Sequence, residues 1–165
     1  MKTISIILLI LLLPLSYSSA QQTGEQLYNP NADAKAELKI AIATAAKEGK
    51  HVIIQVGGNW CPWCIRLHKF YHENASIDSI LNASYVFAKV NYSKENKNSD
   101  VLKDLGFPQR FGFPVLVILD ANGQRLHTQN SAYLEEGKGY DAKKVLEFLK
   151  QWSPEALKPD NYPAN

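Results

Sequence analysis

Between residues 31 and 152 the apolar positions fall into alternating blocks of helical and strand period. Ala34, Leu38, Ala41, Ile42 and Ala45 share one face of a helix predicted over 32–48, with Asn31 as its cap and Gly49 as a left-handed stop. His51 to Val56 (HVIIQV) is nearly continuous and β-branched, the pattern of a strand buried on both faces. Gly57-Gly58-Asn59 makes a turn, and a second helix opens at Pro62, whose missing N–H costs nothing in a first turn. It is predicted to run to about Glu73, with Cys64, Leu67, His68 and Tyr71 along one side. Ile77, Ile80 and Leu81 suggest a short helical turn, and Tyr85 to Asn91 (YVFAKVN) a second strand.

The polar, lysine-rich stretch 93–99 reads as a solvated loop, with Ser99 capping a short helix that ends at Gly106. Val115 to Leu119 (VLVIL) is a third buried strand. Asp120-Ala121-Asn122-Gly123 is a hairpin turn, Asn-Gly being tolerant of positive φ, and 124–129 is its more polar edge partner. Asp141 caps a last helix to Trp152, with Val145, Leu146, Leu149 and Trp152 as its buried stripe. Parallel strands joined through helices, followed by an antiparallel hairpin, predict an α/β fold: a mixed sheet of about four strands with helices on both faces. Residues 21–30 are expected to be a loose polar segment, 31–152 the folded domain, and 153–165, with three prolines, an extended tail.

Residues 1–20 carry a different pattern. Lys2 precedes an apolar run, Ile4 to Leu13, interrupted only by Ser5; Pro14 breaks it, and Ser18-Ser19-Ala20 supplies small residues for a signal peptidase. The run is short for a membrane span, so the expectation is an export signal, with the periplasm as destination and release from the cell as the alternative. Composition agrees with a packed domain: 45% of residues are hydrophobic and 21% charged. The 18 basic and 16 acidic side chains nearly cancel, which gives no electrostatic reason to expect nucleic acid or an anionic membrane as partner.

The chain has two cysteines, Cys61 and Cys64. A disulfide closing so short a loop removes little unfolded-chain entropy, so a purely structural crosslink explains the pair poorly. At the mouth of a helix, free backbone N–H groups and the helix dipole favour a thiolate, and Cys-x-x-Cys settings lower a thiol pKa from about 8.5 into roughly 3.5–7.5. Cys61 is therefore the expected nucleophile on a partner's disulfide and Cys64, one turn inward, the resolving thiol. Metal binding competes as a reading, since Cys61, Cys64, His68 and His72 lie along one helix; His72 sits too far along to share an ion, and His51, His68, His72 and His127 read as surface or packing residues. Trp60 and Trp63 flank the sulfurs, and Trp63 is expected to contact a partner rather than fill the core. Phe113-Pro114, before a buried strand, is the second element: an extended peptide could pair with the backbone there while its disulfide is attacked.

On Trp60-Cys61-Pro62-Trp63-Cys64, Gly112-Phe113-Pro114 and the Asn122-Gly123 hairpin, spanning about His51 to Trp152, the chain resembles the thioredoxin superfamily. It is similar in particular to exported thioredoxin-like proteins and to the C-terminal domain of the bacterial transmembrane disulfide reductase. The resemblance implies a thioredoxin fold and thiol–disulfide exchange, with Cys61 attacking, Cys64 resolving, Pro114 cis and facing them, and Trp60, Pro62, Trp63, Phe113 and Pro114 touching the substrate. No cofactor is implied beyond the redox-active disulfide itself. The implied partners are protein thiols and disulfides and a separate electron donor, a membrane protein, acting on a monomer. Two departures stand out: Gln55 occupies the place of the buried acid of thioredoxins, and the dipeptide between the cysteines is Pro-Trp rather than Gly-Pro. The expected role is reductant or isomerase-like rather than strong oxidant. The rival from another class is a non-catalytic module that presents Trp60, Trp63 and Phe113 to a protein or peptide; a metal carrier is the third.

Overall fold

The computed structural model describes residues 26–163; the expected export signal, 1–20, lies outside the described residues. The central strand is β1, His51–Gly57, and all seven of its residues are buried, as its β-branched run predicts. It pairs in parallel with β2, Tyr85–Asn91, and antiparallel with β3, Val115–Leu119, which pairs in turn with the edge strand β4, Arg125–Asn130. The order is β2-β1-β3-β4, the expected mixed sheet of four strands.

Side-chain alternation in β1 divides the core. Val52, Ile54 and Val56 face α1, Ala34–Glu48, together with Val115 and Val117. Ile53 faces the other way with Leu116 and Ile118, against α2, Pro62–Glu73, α3, Ala75–Ser84, and later α5, Ala142–Gln151. Gln55 follows Ile53 onto this second face, where it lies beneath α2.

Several boundaries differ from those the pattern predicts. Asp33, not Asn31, caps α1 by accepting from Ala36 N at 3.0 Å, while Gly49 at φ 65° stops it as expected. The short turn anticipated around Ile77 is a full helix, α3, because Asn74 ends α2 in extended geometry and accepts from Ile77 N. Ser99 does not cap α4, Ser99–Asp104; Asn98 precedes it at φ 47° and spends its side-chain amide on the Asn91 carbonyl instead. At the hairpin only Gly123 takes a positive φ, and Asp120 closes the turn by accepting from the Asn122 and Gln124 N–H groups.

Past β4 the chain makes a 3₁₀ turn and a two-residue hairpin, β5, Glu135–Glu136, with β6, Gly139–Tyr140. In α5, Phe148 joins Val145 and Leu149 in the buried stripe, while Leu146 and Trp152 are only partly covered. Residues 153–162 are a succession of turns ending in a 3₁₀ helix, not an extended tail. Ser153 starts them, buried, donating to the Lys150 carbonyl and accepting from Ala156 N. The segment before Pro30 is not loose either: Tyr28 is 1% exposed, so the folded unit begins ahead of the expected boundary at residue 31. Among the described residues no helix is long and apolar enough to cross a membrane.

Candidate functional site

The site forms where β1 runs into α2. Gly57 and Gly58 allow the chain to turn there without side chains in the way: a Cβ on Gly57 would collide with Cys64 Sγ and lie 2.8 Å from the Tyr28 hydroxyl, and one on Gly58 would lie 2.7 Å from the Tyr92 carbonyl. The Cys61 N–H returns to the Gly58 carbonyl at 3.0 Å, and Pro62 supplies the first helical residue. Cys61 and Cys64 are joined as a disulfide with Cα atoms 5.3 Å apart.

The two sulfurs are not equivalent. Cys61 occupies the N-cap position of α2, and its Sγ accepts from Cys64 N at 3.2 Å, the contact a Ser or Asp oxygen makes at an ordinary cap. Negative charge on that sulfur meets a donor and the positive end of the helix at once. Cys64 is completely buried one turn along, and Cys61 keeps 3% of its surface open. The exposed Pro62 lies between them.

The start of β3 brings the second element alongside, since Val115 pairs with Val56 at the end of β1. The Phe113–Pro114 peptide is cis, Pro114 is buried, and Phe113 packs against the cysteines. Phe113 also stacks on Tyr92, centroids 4.8 Å apart, and meets the edge of Trp60 at 5.4 Å. Trp60 is 56% exposed and is held by its indole N–H, which donates to the Tyr92 carbonyl at 2.7 Å. Trp60 and Phe113 thus form one aromatic wall beside the disulfide.

Trp63 departs from its expected outward role. It is half-buried, edge-on to Tyr140 at 5.5 Å, with the Arg66 guanidinium 4.6 Å over its ring. The Tyr140 hydroxyl donates to the Trp63 carbonyl. The unanticipated β5–β6 hairpin brings Tyr140 there, so contacts within the domain occupy much of this indole.

Beneath the disulfide lie residues that sequence reasoning passed over. Tyr28 packs directly with Cys61 and Cys64. Its backbone is clamped by a reciprocal pair, Tyr28 N donating to Asn59 Oδ1 at 2.9 Å and Asn59 Nδ2 to the Tyr28 carbonyl at 2.7 Å. The fully buried Gln55 donates through Nε2 both to the Tyr28 hydroxyl, at 2.6 Å, and to the Cys64 carbonyl, at 3.0 Å; its Oε1 has no partner. Burial pushes the Tyr28 hydroxyl pKa far up, against a smaller downward pull from Gln55. The signal available in the sequence was Leu27-Tyr28, an apolar pair inside a polar run.

The histidines behave as surface or packing residues, and the exposed His72 meets Asp78 at 2.9 Å. His51 donates to the Trp152 carbonyl, and His127 stacks on the Trp152 ring at 4.3 Å. Burial, with positive charge at His72 and Lys89, holds His68 down to about 4. Among the described residues no three His, Cys, Asp or Glu side chains gather as a metal ion would require.

A family model described as a thioredoxin-like domain matches residues 38–137. No curated protein matches the sequence significantly. Among solved structures, a disulphide isomerase from Xylella fastidiosa Temecula1 is similar with a TM-score of 0.67 and 22% identity, over 76% of this chain and 95% of that one. The reduced C-terminal domain of Neisseria meningitidis DsbD aligns with a TM-score of 0.54 and 22% identity, over 72% and 96%. A thioredoxin from Thermus thermophilus aligns at 0.51 and 18%, over 77% and 94%. The fold is thus one it has in common with solved structures described as a disulphide isomerase and a thioredoxin. With a four-stranded mixed sheet, a disulfide at the mouth of α2 and the family match over its central hundred residues, this chain belongs to the thioredoxin-like domain family.

Proposed function

We propose that this protein is an exported thiol–disulfide oxidoreductase acting on protein disulfides, as reductant or isomerase-like helper rather than strong oxidant. The observation that carries the reading is Cys61 Sγ at the N-cap of α2, accepting the Cys64 N–H, with Cys64 sealed behind it. In the reduced protein the Cys61 thiolate attacks one sulfur of a partner disulfide, and the partner's other sulfur leaves as thiolate. Cys64 then attacks Cys61 Sγ, the second partner sulfur departs, and two electrons have passed to the partner.

The Phe113–Pro114 backbone beside the sulfurs suits an extended substrate segment, with Trp60, Pro62 and Phe113 as the accessible contacts and Trp63 a lesser one. Pro114 contributes by orienting the backbone. The apolar run of residues 4–13 supports export, and with it a periplasmic setting in which a membrane electron donor recycles a monomer. No cofactor beyond the disulfide is needed for these steps.

Titration of the Cys61–Cys64 pair against glutathione tests the direction. A potential near that of thioredoxin, about −270 mV, is expected, and one near −120 mV would make the protein an oxidant instead. Wild type is expected to reduce insulin disulfides, Cys61→Ser to lose this altogether, and Cys64→Ser to accumulate a mixed disulfide. Absence of reduction in the wild type, with peptide binding intact in Cys61→Ser, would leave a binding module.

A further inference from the structure

The hydrogen of the Tyr28 hydroxyl has no destination in the pattern of bonds beneath the disulfide. The Cys64 carbonyl can only accept, so the Gln55 amide must turn its nitrogen that way, and the same nitrogen donates to the Tyr28 oxygen. The Tyr28 hydrogen therefore points away from Gln55, and no oxygen or nitrogen among the described residues receives it. An unsatisfied buried donor is costly, which makes its surroundings informative.

Cys64 Sγ is a near neighbour of that hydroxyl. Tyr28, Cys61 and Cys64 form one buried cluster, and the hydroxyl and the sulfur both lie within 3 Å of where a Gly57 side chain would begin, with no hydrogen bond between them in the disulfide form. Asn59 holds the Tyr28 backbone from both sides, so the ring is fixed in that position. A disulfide sulfur is a weak acceptor, whereas a thiolate is a strong, charged one. The same hydroxyl is thus nearly idle in the oxidised protein and becomes a charge-assisted donor when Cys64 ionises.

We propose that the Tyr28 hydroxyl is the hydrogen-bond donor that stabilises the Cys64 thiolate and thereby speeds resolution of the mixed disulfide, with Gln55 as the residue that positions it. This rests on the oxidoreductase reading above. The Cys64 thiol gives its proton to water, and the thiolate, held by Tyr28, forms the bond to Cys61 Sγ. The bond from Cys61 to the partner breaks, and the departing partner thiolate takes a proton from water. Tyr28 keeps its own proton throughout, in keeping with a burial that holds it neutral.

The other titratable groups packed around the pair leave the pH dependence to the cysteines. Tyr71 of α2 and Tyr140 of β6 are both pushed upward by burial, and His68, one turn beyond Cys64, is neutral well below pH 7. Arg66 beside Tyr140 and Lys89 beside His68 are the cationic neighbours, and the His72 ring lies edge-on to His68 at 4.7 Å.

The test is a single turnover of the reduced protein with an aryl disulfide that releases a coloured thiolate. The first equivalent reports attack by Cys61 and the second reports resolution by Cys64. Tyr28→Phe removes one oxygen and keeps the ring. Its first phase is expected to stay within twofold of wild type, and its second to slow about tenfold at pH 7, the size of a lost hydrogen bond to a charged group. The pH midpoint of the second phase should rise by about one unit. An independent measurement is the 240 nm thiolate absorbance in a Cys61→Ser background, where adding Tyr28→Phe should raise the Cys64 midpoint by the same amount. Equal midpoints and equal second phases would overturn the proposal. A wild type without a first phase would instead overturn the oxidoreductase reading itself.

Discussion

The two faces of the sheet solve different problems with the same strand. Toward α1 and α4, β1 offers Val52, Ile54 and Val56 to a layer of alanine, valine, leucine and isoleucine, where Thr128 of β4, paired with Val117, leaves one buried hydroxyl without a partner. Toward α2 and α5 it offers Ile53 and then Gln55, and here lie three of the five buried side-chain polar atoms without partners among the described residues: Gln55 Oε1, His68 Nδ1 and the Tyr71 hydroxyl, the others being Gln109 Oε1 and Thr128 Oγ1. Native interiors leave few such groups. Three of the five lie on the face that carries α2, and Gln55 bonds the Cys64 carbonyl, so the α1 face contributes mainly packing while the other keeps polar atoms beside the sulfurs.

If that division is right, the first face can be damaged without touching the chemistry. Leu102→Ala there is expected to cost about 2–5 kcal/mol of stability, while thiol–disulfide exchange per folded molecule stays at the wild-type rate; denaturant melts and stopped-flow exchange check the two separately. Gly57→Ala joins the halves, because its methyl would strike Cys64 Sγ. Overpacking of this kind costs about 1–3 kcal/mol, and here the second phase of exchange should fall as well. A Gly57→Ala protein that loses stability yet exchanges normally would break the comparison.

Smaller effects sharpen it. Trp60→Ala removes an exposed ring from the aromatic wall, so insulin reduction should show a severalfold higher KM with little change in kcat or melting temperature. His68 gives the smallest effect and a definite sign. Its folded pKa, about 4, lies below the ordinary histidine value, so the unfolded chain binds the extra proton between these limits. The histidine's contribution is intact above about pH 6.5 and is lost as pH falls toward 4. Thermal melts of His68→Gln should therefore decline less steeply than wild type over that window.

How much of this was legible in the sequence depended on how local each cause is. β2 and β3 have the bounds their apolar runs predict, and α2 begins and ends where Pro62 and Glu73 mark it. Caps slipped by one or two positions because Asn31 and Asp33, or Asn98 and Ser99, are chemically interchangeable until the incoming chain chooses between them. The β5–β6 hairpin has two residues per strand, too few for a period to register. That hairpin in turn is why Trp63 could not be told from Trp60: the ring that covers Trp63 comes from 77 residues away. Both cysteines and the Phe113-Pro114 element were readable, since their chemistry is written in adjacent residues. Tyr28 was not, because only the folded partners Asn59 and Gln55 give it meaning.

The clamp between Tyr28 and Asn59 has a practical corollary for anyone trimming this protein. A version started at Asn31, just ahead of the first helix, would retain the whole sheet and both cysteines yet open a hole under the sulfurs large enough to lose a tyrosine. Water entering from below would solvate Cys64 as freely as Cys61, and the asymmetry between the two thiols would fade although every residue of the Cys-x-x-Cys motif remained. Activity measured on such a fragment would describe a different reagent.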